Sequence, residues 1–294
     1  MFGLWLVVAA CVDPAPAPSG DSAAPDAPGP LAACPTFAEG VSRGTVASPE
    51  VVELSGLVAS RARPGVWWGH NDSGDRARLF AIGDDGADLG EVSLPGVAAA
   101  DWEDVAVGPD GEALYVGDIG DNFLVRTELW IWRVAEPDPS SETTEAPEKL
   151  RLRYPDGPHD AESLVVDPLT GDLYVITKAG TGSIVYVAEA PVVDGAELAE
   201  VARITLPADG LATAADVSPD GAWWIVRSYG GARLWRRGEG WSVADAFATE
   251  PCAVPMADEP SGEAVAFAAD GSGFATISEG AGATVWWYAV EPSP

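Results

Sequence analysis

The chain has 294 residues, 46 acidic and 16 basic, for a formal net charge of −30. That balance argues against nucleic-acid binding, which is driven by Lys and Arg neutralising phosphates, and against docking on an anionic membrane through a basic patch. Hydrophobic residues make up 47% and Trp alone numbers 12, ample for a core, while 33 Gly and 25 Pro fit an all-β protein rich in turns.

Phe2 to Ala10 is an apolar run too short to cross a bilayer. Val8-Ala9-Ala10-Cys11 follows the pattern of a bacterial lipoprotein signal, in which Cys11 becomes the lipid-bearing N-terminus. The usual basic opening is missing, so an ordinary secretory signal with a coincidental Cys stays open. Residues 12–33 are rich in Pro, Ala, Ser, Gly and Asp and show no apolar periodicity. They read as a disordered tether. The expected organisation is therefore a signal segment over 1–11, a tether over 12–33 and a folded domain over 34–294. The expected location is the cell envelope or periplasm, with a lipid anchor. In an exported chain, Cys34 and Cys252 are candidates for a disulfide, the alternative being two free thiols.

Turn glycines recur at Gly65, Gly111, Gly171, Gly221 and Gly271. Before each runs a short apolar strand (LSGLVAS, EDVAVG, ESLVVD, TAADVS, EAVAFA). Two more strands follow each turn, VWWGHND then RLFAI in the first unit and GFATISE then TVWWYAV in the last. A weaker fourth can be placed in most units. Pro-Asp-Gly-type turns between β-rich runs are hairpin signals. No stretch has helical periodicity with caps, Ala98 to Asp104 being the nearest. Four strands per unit of about 50 residues, repeated in series, predict a β-propeller. The count gives five blades of four strands. The last unit ends at its third strand, so Arg43 to Glu53 is expected to supply the fourth and close the ring.

Aligned on the turns, Ser55, Glu103, Glu162, Thr213 and Glu263 open the first strand of their units. In a propeller that strand lines the central channel, so five oxygen-bearing side chains would converge near the axis. Crowded carboxylates need a cation or raised pKa values. Hard oxygen ligands suit Ca²⁺. The alternative is that each Glu hydrogen-bonds neighbouring backbone at a solvated mouth.

The order Ser, Glu, Glu, Ser/Thr, Glu over five blades resembles the calcium-dependent nucleotidases of the apyrase type. The local matches are Leu54-Ser55-Gly56-Leu57, Trp102-Glu103 with Leu114-Tyr115-Val116-Gly117, and His159-Asp160-Ala161-Glu162, with looser ones around Thr213 and Gly262-Glu263. The resemblance implies a five-bladed propeller with an axial Ca²⁺. It departs where that family has an Asp-Asp-Arg-Thr-Gly-like segment. Here His70-Asn71-Asp72-Ser73-Gly74-Asp75 lacks the Arg unless Arg76 replaces it. A Lys-Glu-Trp-like stretch is likewise replaced by Asp118 to Asn122. Scaffold and metal carry over better than the chemistry. Six-bladed calcium-dependent phytases are a more distant comparison.

Both His residues, His70 and His159, fall in these segments, and one of the two Lys residues is Lys178 at a second-strand end. With Arg126 and Arg227 it would form a cationic arc able to hold a phosphate or carboxylate beside a metal. Asp72, Asp75, Asp118 and Asp121 would be nearby acids. Asp72, His159, Lys178 and Arg227 are thus the candidate catalytic set. The alternative is ion pairing among these same groups. The recurring Trp pairs are read as packing between blades. No nucleophile elbow, P-loop or dinucleotide fingerprint is present. The expected function is an exported, monomeric, lipid-anchored calcium-binding propeller serving binding or scaffolding, touching membrane only through its anchor. The alternative is a Ca²⁺-dependent phosphohydrolase.

Overall fold

All five turn glycines adopt positive φ, from 70° at Gly271 to 82° at Gly65, a region Gly enters without steric cost. Each reverses the chain between two strands of one sheet. The computed structural model describes Met1 and residues 33–180, 182–207 and 210–292. Cys11, the expected site of a lipid, and nearly all of the expected signal and tether lie outside the described residues.

A strand β1 (Val41–Thr45) precedes the first unit. Blade one is β2 (Leu54–Ala59), β3 (Val66–Asn71), β4 (Arg78–Gly83) and β5 (Asp88–Ser93). Blade two is β6 (Trp102–Val107), β7 (Ala113–Asp118), β8 (Leu129–Ala135) and β9 (Glu148–Arg153). Blade three is β10 (Ala161–Val166), β11 (Leu173–Thr177), β12 (Ser183–Ala188) and, after the short β13 (Ala196–Glu197), β14 (Ala199–Ile204). Blade four is β15 (Ala212–Val217), β16 (Trp223–Ser228), β17 (Gly231–Arg236) and β18 (Cys252–Ala253), with helix α1 (Val243–Phe247) before its last strand. Blade five is β19 (Gly262–Phe267), β20 (Gly273–Ser278) and β21 (Thr284–Ala289), completed by β1 on the edge of β21. The fold is an all-β, five-bladed propeller closed by its N-terminal strand.

Three local features depart from expectation. The closing strand is confined to Val41–Thr45, and the chain beyond it turns back towards β2. Residues 98–101, as expected, are not helical and lead directly into β6. Helix α1 does form, nucleated by a capping box in which Ser242 and Asp245 satisfy each other's backbone amides. Five residues are too few to show a helical period in sequence. The two-residue β13 runs parallel to β9 and adds a fifth strand to blade two.

Apolar side chains gather into five clusters, one at each junction between neighbouring blades. Trp68, Trp102 and Trp224 are fully buried there, as interblade packing requires. A disulfide joins Cys34, ahead of the closing strand, to Cys252 in β18. Blade four is thereby tied covalently to the segment that completes blade five. Each innermost strand (β2, β6, β10, β15, β19) packs on the next, closing a ring about the axis.

Candidate cation site at the axial mouth

Ser55, Glu103, Glu162, Thr213 and Glu263 are each the second residue of an innermost strand. In every blade the pairing register with the second strand slips at that place. A bulge takes a residue out of the ladder and re-aims its side chain. Five bulges in quasi-equivalent positions therefore put these five residues, all buried, at one end of the channel.

Their roles diverge from there. Ser55 donates its hydroxyl to the carbonyl of Glu103 in the next blade (2.5 Å), and Thr213 donates to the carbonyl of Gly262 (2.9 Å). These hydroxyls latch blade one to blade two and blade four to blade five. Glu162 accepts from Lys178 Nζ at 2.6 Å. Burial lifts the Glu162 carboxyl to about 8 even though Lys178 pulls the other way. Glu263 accepts from the Tyr229 hydroxyl at 2.7 Å, leaving its second oxygen buried and unpartnered.

Glu103 differs. Its carboxylate is 2% exposed and accepts no hydrogen bond among the described residues. It lies with Asp72 and Asp101 in a group whose ligand oxygens are all within 4.8 Å of one another. Asp72 comes from the β3–β4 loop and Asp101 from the residue just ahead of β6. Burial first, then Glu162 and Asp72, push the Glu103 carboxyl well above the usual carboxylate range. Burial, and Asp72 next, lift Asp101 to about 6. Gly120 leaves room for them: a Cβ there would lie 2.0 Å from Glu103 Oε1 and 2.6 Å from Asp101 Oδ2. Of the five strand residues, only Glu103 enters this acidic group. Hard oxygen donors with unmet charge, close together and partly dry, are the donor set of a divalent cation such as Ca²⁺.

The candidate cations are already committed. Lys178 is held between Glu162 and the Tyr229 hydroxyl. Arg126 pairs with Asp118 at 2.9 Å and donates to the carbonyls of Asp118 and Gly120. Arg227 is 2% exposed, pairs with Glu259 at 2.8 Å and donates to the carbonyl of Ala264. Its guanidinium fits because Gly262 has no side chain. These groups thus form separate ion pairs and no open arc. Asp75 is held by Arg78 and Asn71, and Asp121 caps its own loop. His159 pairs with Asp156 and Tyr186 and meets Tyr154 edge-on. His70 is fully buried against Trp102, and burial lowers its pKa.

Two axial acids escape a register reading. Asp104 accepts from its own neighbour Val105, from Leu164 in blade three (2.9 Å) and from Ala215 in blade four (3.4 Å). Asp216 accepts from Phe267 in blade five at 2.7 Å, and burial lifts it to about 7. With the Ser55 and Thr213 latches they knit the innermost strands together. The dense Asp101-Trp102-Glu103-Asp104 run is the signal that could have pointed here: alternate residues serve the mouth, and Asp104 serves the ring.

The fold and site define a class: a five-bladed propeller with an acidic axial mouth. No protein-family model matches the chain, and no curated protein matches it. Among solved structures the chain is similar to a chain of the nidogen/laminin complex, with 13% identity and a TM-score of 0.43 over 78% of this chain and 73% of that one. It is also similar to U3-55K, with 11% identity and a TM-score of 0.44 over 87% of this chain and all of that one.

Proposed function

We propose that the chain is an exported binding or scaffold protein whose blades are braced by a divalent cation, Ca²⁺ by donor chemistry, held at the axial mouth by Asp72, Asp101 and Glu103. The observation that carries this reading is the Glu103 carboxylate, buried without a hydrogen bond beside two further acids. An ion there would neutralise the group and tie the β3–β4 loop of blade one to the inner edge of blade two. Glu162 and Glu263 line the same mouth, their charges partly met by Lys178 and Tyr229. The disulfide supports an oxidising compartment, and with the apolar N-terminal run it supports export. The hydrolase alternative calls for a free cation to hold phosphate. Lys178, Arg126 and Arg227 are each bound to a carboxylate, which favours the binding reading.

Calorimetric titration of the metal-free protein with CaCl₂, paired with thermal unfolding, tests it. At a hundred times its dissociation constant a ligand stabilises by about 2.7 kcal/mol, roughly a 5–10 °C rise in melting temperature for a domain of this size. Glu103→Gln should abolish both the heat of binding and the rise. No binding heat in the wild type, with an unchanged melting temperature, defeats the proposal. Turnover of nucleotides or phosphoesters that requires Ca²⁺ and falls in Lys178→Ala would revive the hydrolase.

A further inference from the structure

The loop joining β7 to β8 turns its charges inward and its apolar side chains outward. Phe123, Leu124 and Val125 are 87%, 54% and 71% exposed. Leu124 holds φ at 54°, the one positive φ at a non-Gly position among the described residues. Asp121 enforces this shape. Its carboxylate accepts from the amides of Val125 (3.0 Å) and Arg126 (2.7 Å), and its carbonyl from Leu124 (2.8 Å). Arg126 is folded back onto Asp118 and the Gly120 carbonyl. A tip of three consecutive large apolar residues is thus built and held in water by the hydrogen bonds to Asp121.

We infer that this tip is a membrane-insertion loop that enters the interface of a lipid bilayer. Three observations favour lipid over a protein partner. Residues 122–125 carry no charge, in a chain of net charge −30 whose protein contacts would be read through charge. The tip holds its three apolar side chains out in solvent, which suits a fluid apolar phase. The same face also exposes Val52 (44%) and Tyr229 (39%) on other loops of the mouth, giving apolar side chains on more than one blade for a surface to meet. Elsewhere Leu169, Val193 and Val41 stand exposed singly. Because the loop is already held in shape, insertion orders nothing new. The acidic mouth beside it points to neutral headgroups. The inference does not depend on a bound cation.

The test uses the full chain carrying Cys11→Ser and Phe123→Cys, labelled at residue 123 with an environment-sensitive NBD dye, and phosphatidylcholine vesicles in the presence of chelator. A second chain carries the dye at Glu112→Cys, an exposed position in the β6–β7 turn at the other end of the blade. The expected result is a blue shift at 123, with quenching by spin-labelled phosphatidylcholine, and an aqueous spectrum at 112. An unshifted dye at 123 overturns the inference, even if the N-terminal run binds the chain to the vesicles, and returns the tip to a protein partner. Equal shifts at both positions overturn it too, since the contact would not be made by the tip. Neither result bears on calcium binding.

Discussion

At the scale of single residues, the same strand position performs different tasks in different blades. Ser55 and Thr213 spend their hydroxyls on carbonyls of the next blade. Ser55→Ala and Thr213→Val should therefore each cost about 1 kcal/mol in denaturant unfolding, by the same amount with calcium as with chelator. A loss seen only with calcium would make them ligands instead. Asp104, buried and accepting from three strands, should cost about 3 kcal/mol or more when replaced by Ala, because buried amides are left unpaired. Gly120→Ala should weaken calcium binding at least tenfold by pushing on the Glu103 and Asp101 carboxylates, whose oxygens lie where the new methyl must go. An unchanged titration would show that these carboxylates are not the ligands. The five channel residues were legible in the sequence because their spacing from the turn glycines is nearly constant. Asp72 was legible only as an acid near the mouth, not as a partner of Glu103, and Asp101 was not legible at all: one sits in a loop of another blade, and the other precedes its strand. A strand register carries no information on either.

At the scale of elements, strands and turns were readable because each glycine turn is flanked by apolar runs of fixed length. The first three strands of every blade fall where those runs predict. The outer strands were readable only in part: β5 and β14 fall on the weaker runs EVSLP and ARITLP, and the others do not stand out. β18 is two residues long and β13 pairs in parallel with another blade, arrangements set by packing rather than by local pattern. Ring closure by β1 followed from a deficit, since the last unit lacks its fourth strand. That closure is reinforced by the disulfide, which links residues 218 apart in sequence. Cross-links across long segments restrict the unfolded chain most. Reduction, or Cys34→Ser, should lower unfolding stability by about 2–4 kcal/mol without changing calcium affinity, because the bond lies on the outer part of blades four and five. A loss of calcium binding on reduction would mean that the mouth depends on that closure.

At the scale of the whole molecule, the net charge of −30 and the buried axial acids set the response to pH. Asp101, Asp216 and Glu162 are lifted to about 6, 7 and 8, in each case chiefly by burial. A carboxyl whose folded pKa exceeds its unfolded one binds more protons in the native state. It favours the fold below pH 4 and loses that contribution as pH rises to the folded value. In chelator, stability should therefore decline between about pH 4 and 8, by at most about 1.4 kcal/mol per pH unit for each group within its window. Asp75 acts in the opposite sense, since hydrogen bonds from Arg78 outweigh its burial and lower its pKa. Calcium should flatten the decline, and its binding should release protons. Denaturant unfolding across this range, with and without calcium, checks the sign. Stability that rises from pH 5 to 8 in chelator would mean that these acids are not buried as described.

Anomalous diffraction from crystals soaked in a lanthanide, a heavy substitute for Ca²⁺, tests the central claim most directly. The account predicts one strong peak at the axial mouth, at oxygen-coordination distance (about 2.3–2.6 Å) from Glu103, Asp101 and Asp72. A peak bound elsewhere, or none at the mouth under saturating ion, would contradict it.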